Sequence, residues 1–272
     1  MTPLIMTADD YAQSAEIDNG ILQLIAMGRL TATSCLVLSP RWPQAANLLT
    51  AEVRANTDIG LHLDFTQFPH DLTDPLGALI VKSHLRMLPT AQVRLAIARQ
   101  LDAFEDALGT PPDYVDGHQH VHQLPQIREA LIEELSARYR HRLPWIRLAR
   151  PPLNDGFKAL VIRSLGASAL EKLALNNGFV CSKTLLGVYG FHATVEQYAQ
   201  HLAAWFSIAA QSQQPVALMC HPAMEAASIQ QQGDAIFPAR FVEYAVLSNP
   251  KFDNMLINKG IQLVRGGKFA QV

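Results

Sequence analysis

The chain has few cysteines, few aromatic residues and few charges for its length. Its 272 residues include three cysteines, 7% aromatic residues and 17% charged residues. The cysteines are odd in number and widely spaced, and Cys35 and Cys220 lie in apolar runs, which is typical of buried reduced thiols rather than of a disulfide framework. This pattern favours a reducing compartment, and we predict a cytoplasmic protein.

The sequence also lacks a long apolar run and an excess of either charge. No run approaches the roughly 20 residues of a membrane-spanning helix. The opening MTPLIMTADDY passes from a short apolar run into acids, without the basic region of a signal peptide. Since 22 Lys and Arg face 24 Asp and Glu, the charge favours neither nucleic acid nor an anionic membrane as partner. We expect a neutral or small polar ligand instead.

Apolar residues are plentiful and regularly arranged. They make up 49% of the chain, which is enough for a large buried core. Short apolar runs alternate with amphipathic stretches from end to end, and this alternation is typical of parallel βα units. Since no repeat, low-complexity tract or linker divides the sequence, we predict a single α/β domain over residues 1–272.

The predicted elements follow this alternation. The predicted strands are residues 4–8, 34–38, 59–65, 114–117, 145–148, 216–220 and 261–264. The predicted helices are residues 17–27, 42–52, 91–107, 127–139, 195–209 and 239–247. Residues 66–89 are predicted to form a long loop. Residues 152–187 combine a helical stretch, 158–175, with a further strand, and form a candidate lid or binding loop.

Two adjacent carboxylates, Asp9 and Asp10, follow the first predicted strand. Sites in parallel α/β folds form at the carboxyl ends of strands. Neighbouring carboxylates repel each other unless a cation or a shared proton relieves the repulsion. The alternative is that one of them only caps the next helix or a turn.

Histidines lie in or after two further predicted strands. His62 stands in IGLHLDF, where a hydrogen-bonded core imidazole is the simpler interpretation. In DGHQHVH, His118, His120 and His122 follow Asp116 at every second residue, which in an extended segment projects three imidazoles to one side. This density favours a metal or catalytic role over a polar turn in which His120 and His122 only support the backbone.

Three further cationic side chains lie near predicted strand ends. His221 follows the run PVALM, and Pro222 ends that strand, so the imidazole lies at the rim as a general acid or as a packing residue. Arg147 and Arg150 stand in WIRLARPP, where an arginine could orient an acidic site. We expect Arg147 to form a surface or structural ion pair, and Arg150 to be the orienting residue.

Taken together, these residues could bind a metal ion and supply an acid and a base. Asp10, His62 and His118 supply one carboxylate and two imidazoles, which suffice for a divalent cation with open positions for water and substrate. Asp9 is then free to act as a base, and His221 as an acid on the far side of one electrophile.

These blocks resemble the YdjC-like carbohydrate deacetylases, the family that includes chitooligosaccharide deacetylase. The matching blocks, in order over residues 7–223, are TADDY, GILQLIAMGRLTATSCLV, IGLHLDFT, DYVDGHQHVHQLPQIREAL, IRLARPPL and VALMCHPA. One carboxylate and two imidazoles suit zinc by ligand softness, and magnesium would also fit. The resemblance implies a distorted (β/α) barrel, one divalent metal ion and a homodimer. It also implies hydrolysis of the acetyl group of an N-acetylated sugar, typically an N-acetylglucosamine-containing oligosaccharide.

The resemblance assigns roles by position. Asp10, His62 and His118 match the metal ligands, Asp9 the base and His221 the acid. Asp116 and Arg150 are expected to orient His118 or Asp9 through hydrogen bonds and charge, and His120 and His122 are expected to support the site or contact the substrate. The chain departs from the family at Tyr11 and Ala12, where the family has phenylalanine and glycine, and over residues 152–190, which match poorly.

Other functions account for fewer of these residues. A mononuclear iron oxygenase also uses two histidines and one carboxylate, but it explains neither Asp9 nor His221. A phosphoesterase would need a glycine-rich phosphate loop or an arginine cluster, which the sequence lacks. A non-catalytic sugar-binding or regulatory protein on the same fold would not need acid, base and ligands together. Another metal-dependent hydrolase is the remaining alternative.

Overall fold

Eight parallel strands form the centre of the protein. The computed structural model describes residues 1–68, 72, 74–153, 156–225 and 234–271. The strands are β1 (Thr2–Tyr11), β2 (Ala32–Cys35), β3 (Asp58–Leu63), β4 (Tyr114–Gly117), β5 (Trp145–Ile146), β6 (Thr184–Leu186), β7 (Val216–Cys220) and β8 (Ile261–Leu263).

The strands curl into a distorted barrel. Their order is β5-β4-β3-β2-β1-β7-β6, and β8 pairs with the first residues of β1. An isolated parallel bridge joins Ile146 to Cys181. Backbone N–H groups of Ser182 and Leu185 donate to the carbonyls of Ile146 and Arg150. Because these bonds bring the segment leading into β6 against β5, the two ends of the sheet meet, and the predicted distorted (β/α) barrel is confirmed.

Helices and a short 3-10 segment at His118–Gln123 connect the strands, and another 3-10 segment, Gly266–Gln271, follows β8. The helices in the described ranges are α1 (Ala15–Ala26), α2 (Trp42–Leu48), α3 (Ala51–Asn56), α4 (Leu76–His84), α5 (Thr90–Leu108), α6 (Ile127–Arg138), α7 (Gly156–Ser164), α8 (Ala167–Asn176), α9 (Val195–Gln211), α10 (Phe237–Leu247) and α11 (Lys251–Asn258). The predicted helix 42–52 is two helices, because the Thr50 side chain accepts from the Val53 N–H and starts α3.

The structure differs from the predicted elements in three places. The predicted loop 66–89 contains α4, which follows Pro75 and buries Leu79 and Ser83. Residues 69–71 and 73 of that predicted loop lie outside the described residues. Residues 152–187 contain α7, α8 and β6, with Gly166 at φ 129° between the two helices. Helix α11 was not predicted, and it buries Phe252 and Leu256.

Apolar side chains fill both the helix–sheet layer and the barrel interior. A smaller cluster includes Ile5, Tyr114, Trp145 and Leu185. The Tyr114 and Trp145 rings stack with centroids 4.4 Å apart. Gly60 gives Tyr114 its space, since a Cβ there would lie 2.4 Å from the ring. Within the described part of the chain, every helix is too short or too polar to cross a bilayer.

Replacing Gly60 with alanine should therefore destabilise the barrel. The added methyl must displace a fully buried, stacked ring, and overpacking of this kind costs about 1–3 kcal/mol in the free energy of unfolding. Gly77→Ala is the matched control, because a Cβ at this exposed position of α4 meets nothing within 4 Å. Urea unfolding of the two variants checks this, and equal stabilities would show that Tyr114 does not need the space at Gly60.

Candidate metal and catalytic site

Asp9 and Asp10 lie at the carboxyl end of β1 and both line one cavity. Side chains normally alternate along a strand, but the pairing of β1 with β2 is irregular between Ala8 and Tyr11, and Asp10 has φ 68°. This left-handed backbone breaks the alternation and turns two consecutive carboxylates toward the same space. Strained conformations of this kind are typical of functional sites.

Ala12 takes the left-handed conformation that the family's glycine would adopt easily, with φ 75°. This conformation costs a non-glycine residue about 1–2 kcal/mol. Its N–H donates to Asp18 Oδ1 at 2.6 Å, and its carbonyl accepts from Ser39 Oγ at 2.6 Å. These two hydrogen bonds hold Ala12 in this conformation.

His62 extends from β3 into the site with its two ring nitrogens in different roles. Nδ1 lies 2.6 Å from Asp116 Oδ1 and 3.1 Å from Ser34 Oγ, while Nε2 lies 3.4 Å from Asp10 Oδ1. A proton on Nδ1 donated to Asp116 leaves Nε2 free as a ligand, which is the usual arrangement of carboxylate, histidine and metal. Asp116 therefore orients His62, and not His118 or Asp9 as predicted.

Burial lowers the pKa of His62, but the Asp116 charge and the hydrogen bonds to Asp10 and Asp116 outweigh it and raise the pKa to about 10. The surroundings of this imidazole therefore favour positive charge, and the same field would favour a bound cation.

The histidines of DGHQHVH lie in a 3-10 segment, His118–Gln123, rather than in the predicted extended segment, whereas Asp116 and Gly117 end β4. Gln119 and His120 have φ 52° and 63°, so the three histidines diverge instead of facing one side. His118 Nδ1 points to Asp10 Oδ1 at 3.1 Å, and its ring meets that of His62 edge to face. His122 Nε2 donates to the Arg147 carbonyl at 2.9 Å.

His120 and His122 take separate places. His120 lines the cavity, and burial holds the pKa of its imidazole well below the usual range. Burial also lowers the pKa of His122 to about 4, so both rings are neutral near pH 7. His122 lies under the site and supports the strand that carries Arg147.

One carboxylate and two imidazoles converge as expected for a metal site. Single ligand atoms of Asp10, His62 and His118 lie within 4.8 Å of one another. A second group, Asp9, His62 and Asp116, meets the same distance limit. Its carboxylates, however, already bind Arg147 and His62 Nδ1, so the first group offers the free ligand atoms and fits a divalent cation.

Arg147, rather than Arg150, is the arginine of the site. Its Nη1 and Nη2 each donate to one Asp9 oxygen at 2.6 Å, and Nη2 lies 2.8 Å from Asp116 Oδ2. Arg150 instead pairs with Glu171 on α8 and donates to Ser168 Oγ. Arg147 forms the structural ion pair expected of it, but it also takes the orienting role predicted for Arg150, so the prediction for Arg150 was wrong. Trp145 and Arg147 project into the barrel, whereas Arg150 lies beyond the short strand and turns to a helix.

Arg147 keeps Asp9 ionised. Burial would raise the pKa of Asp9, but the charge and hydrogen bonds of Arg147 outweigh it and lower the pKa to about 2. His221 lies beside Asp9, with its Nε2 3.9 Å from Asp9 Oδ2. The base and acid candidates are therefore neighbours on one wall, rather than on opposite sides of the cavity as predicted.

Helix α10 adds two charged side chains that sequence reasoning missed. Arg240 Nη2 donates to Asp10 Oδ2 at 2.7 Å. The Glu243 carboxylate accepts hydrogen bonds from the backbone N–H of His221 at 2.5 Å and from the Tyr189 hydroxyl at 2.7 Å. Burial raises the pKa of Glu243, and the neighbouring His221 opposes that rise. The signal was present, since Arg240 and Glu243 share the helix face of apolar residues such as Val246.

The cavity above these groups has a volume of about 400 Å³. Its walls include Leu76 and Ile80 of α4 and Val161 and Ile162 of α7, elements that lie in the predicted loop 66–89 and the candidate lid 152–187. Lys158 Nζ donates to the Tyr189 carbonyl and lies 4.1 Å from the centre of the Phe191 ring.

A larger cavity of about 720 Å³ opens at the amino ends of the strands. Two of its arginines are paired with acids, Arg142 with Asp113 and Arg265 with Asp58. This cavity is remote from the converging ligand atoms, so we place the chemistry in the smaller one.

A family model described as YdjC-like protein matches residues 3–258. The chain belongs to the YdjC-like protein family. It is 31% identical over 168 residues to a carbohydrate deacetylase of Homo sapiens, covering 56% of this chain and about half, 49%, of that protein. It is 27% identical over 274 residues to a chitooligosaccharide deacetylase of Serratia marcescens, covering 96% of each.

Solved structures share the fold of this YdjC-like chain. A putative cellobiose-phosphate cleavage protein of Enterococcus faecalis superposes with a TM-score of 0.70 at 19% identity, over 98% of each chain. The Xyl-CE4 domain of a xylanase from a Trinervitermes trinervoides hindgut metagenome gives 0.51 at 10% identity, over 99% of this chain and 90% of that domain. At these identities the likeness shows the fold alone.

Replacing Arg147 with glutamine should leave two buried carboxylates without their cation, which costs about 3–5 kcal/mol in the free energy of unfolding. Arg150→Gln is the matched control, because its partly exposed ion pair is worth about 1 kcal/mol or less. Chemical denaturation near pH 7 measures both, and equal losses would contradict the placement of Arg147.

The same variant should change the acid response. The lowered pKa of Asp9 stabilises the fold fully above about pH 4, and this contribution is lost as the pH falls toward 2. Stability curves from pH 2 to 6 should be less steep in Arg147→Gln than in Arg150→Gln. An unchanged acid dependence would show that Asp9 is not held by Arg147.

Proposed function

We propose that the protein is a metal-dependent hydrolase that removes the acetyl group from an N-acetylated sugar, with an N-acetylglucosamine-containing oligosaccharide as the first substrate to test. The observation that carries this proposal is the convergence of Asp10, His62 and His118 beside Asp9 and His221 in one cavity. The names of the relatives, carbohydrate deacetylase and chitooligosaccharide deacetylase, support the reaction class.

Asp10, His62 and His118 would hold one divalent ion, zinc or magnesium. When bound, this ion would acidify a water molecule and polarise the acetamide carbonyl. The ligand set fits because each residue has one ligand atom facing the others. Asp116 fixes the His62 ring by accepting a hydrogen bond from its Nδ1, the nitrogen that faces away from the ion.

Asp9 is proposed as the base that accepts the proton of the attacking water. Arg147 binds both of its oxygens and lowers its pKa to about 2, so the carboxylate is ionised at all working pH values but weakly basic. Proton transfer to so weak a base requires an acidified water. The low pKa of Asp9 therefore makes the proposed reaction depend on the divalent ion.

His221 is proposed as the acid that protonates the departing amine. An amide nitrogen leaves poorly as an anion, so a proton donor is needed for the C–N bond to break. His221 presents Nε2 toward Asp9 and the cavity, while its Nδ1 lies 3.9 Å from Glu243 Oε1. Glu243 thus lies on the side of the ring away from Asp9, and its carboxylate faces the second ring nitrogen.

Contacts to the sugar would come from the cavity walls. His120, Gln119 and Gln67 line the cavity with groups that can hydrogen-bond to hydroxyls, and Phe191 packs edge to face against His221. Apolar side chains of α4 and α7 face the same space and can contact the carbon face of a sugar ring. A homodimer and a cytoplasmic location stay predictions from the sequence.

Metal-stripped protein refilled with single divalent ions should release acetate from an N-acetylglucosamine oligosaccharide, and should release none while stripped. The reason is that Asp9 is too weak a base to act on ordinary water. Acetate is measured over a panel of N-acetylated sugars. If the refilled protein binds these sugars and frees no acetate, the sugar-binding alternative replaces the hydrolase.

His221→Ala and Asp9→Asn should lower turnover on the order of 10²- to 10⁴-fold by removing proton transfer, while metal content stays unchanged. His141→Ala is the control, because this exposed histidine lines the cavity at the other end of the barrel. Metal loss in Asp9→Asn together with full activity in His221→Ala would show that both roles are misassigned.

A further inference from the structure

Arg240 reaches the site from α10, 230 residues beyond Asp10 in the chain. Its side chain is 2% exposed, so its charge must be met by partners inside the protein. Nη2 donates to Asp10 Oδ2 at 2.7 Å, and Nε donates to Asp234 Oδ2 at 2.6 Å. Longer contacts of 3.4 and 3.5 Å reach the His221 carbonyl and Gln13 Oε1.

The hydrogen bond from Arg240 gives the two oxygens of Asp10 different partners. Oδ2 accepts from Arg240, whereas Oδ1 lies 3.1 Å from His118 Nδ1 and 3.4 Å from His62 Nε2. A carboxylate without such a partner can turn and offer a cation one oxygen or two. Arg240 removes that choice, because one oxygen is already engaged.

We propose that Arg240 is a positioning residue that holds Asp10 to one-oxygen coordination and thereby sets which ion the site prefers. This inference rests on the metal site of the proposed function. The ligands facing an ion are then two imidazole nitrogens and one oxygen, and Arg240 shares the charge of that carboxylate. Such a set favours zinc, which accepts imidazole readily, over magnesium, which prefers oxygen ligands.

The guanidinium geometry is needed for this role. Asp10 and Asp234 bind different nitrogens of one planar fork, so anchoring at Asp234 fixes the direction of the bond to Asp10. A lysine ammonium keeps the charge but is a point donor on a flexible stem. Arg240→Lys therefore separates positioning from charge, since a purely electrostatic role survives the exchange.

The test is a titration of metal-stripped full-length protein with zinc and with magnesium, followed as binding and not as activity. Arg240→Lys should weaken zinc binding about 10- to 100-fold and reduce the ratio of zinc to magnesium affinity. Arg29→Lys is the matched control, because Arg29 is a buried arginine paired with Asp253 and precedes the amino end of β2. Zinc affinity equal to that of the original protein in Arg240→Lys would overturn the inference.

Thermal unfolding of the metal-free variants shows whether Arg240→Lys folds as the control does. If it does not fold, Asp234→Asn takes its place, because it keeps the arginine and removes the anchor. Its zinc affinity should also fall, and an unchanged affinity would overturn the inference. The two proposals can fail separately. If Arg240→Lys weakens zinc binding but the zinc-loaded original protein releases no acetate, only the proposed function is contradicted. If that protein releases acetate and Arg240→Lys binds zinc as tightly as it does, only this inference is contradicted.

Discussion

The ion pair of Arg147 with Asp9 and Asp116 is the interaction on which the rest of the site depends. A buried guanidinium is costly unless its hydrogen bonds and charge are met. Here Asp9 and the Thr7 hydroxyl accept its hydrogen bonds, and Asp116 Oδ2 lies 2.8 Å from Nη2 as an ion-pair partner. Asp116, held in this way, fixes the ring of His62. The barrel thus places a rigid charge pair under the site, and the free nitrogen of His62 points away from it toward Asp10.

A second buried arginine balances the other half of the site. Arg240 binds Asp10 and Asp234 as Arg147 binds Asp9 and Asp116, so two guanidiniums face four carboxylates. The centre keeps an excess of negative charge, which a divalent cation between Asp10, His62 and His118 would offset. The same excess explains why the pKa of His62 is raised despite its burial.

Much of the fold and part of the site could be predicted from the sequence, because both depend on local patterns. The alternation of apolar runs predicted the parallel βα units, and the family resemblance predicted the barrel. The strand ends predicted that Asp9, Asp10, His62 and His118 meet. Helix α4 was missed, since the prolines around it, Pro75 before its start and Pro89 before α5, are typical of a loop. The DGHQHVH segment was taken as extended, because left-handed residues such as His120 leave no simple sequence signal.

The arginines could not be assigned from sequence, because their partners are set by tertiary contacts. Arg147 and Arg150 differ by three residues, and only the short length of β5 decides which one faces the barrel interior. Arg240 and Glu243 lie on a helix far along the chain from Asp10, so local spacing cannot connect them to it. The available signal was that Arg240 and Glu243, three residues apart, lie on the apolar face of α10, where charged residues are unusual.

Anomalous diffraction from crystals of the zinc-replete protein tests the account most directly. We predict one strong peak about 2.0–2.3 Å from Asp10 Oδ1, His62 Nε2 and His118 Nδ1, with Asp9, Asp116 and Arg147 still bound to one another. A peak coordinated by Asp9 and Asp116, or zinc bound elsewhere in the cavity with these three side chains apart, would contradict it.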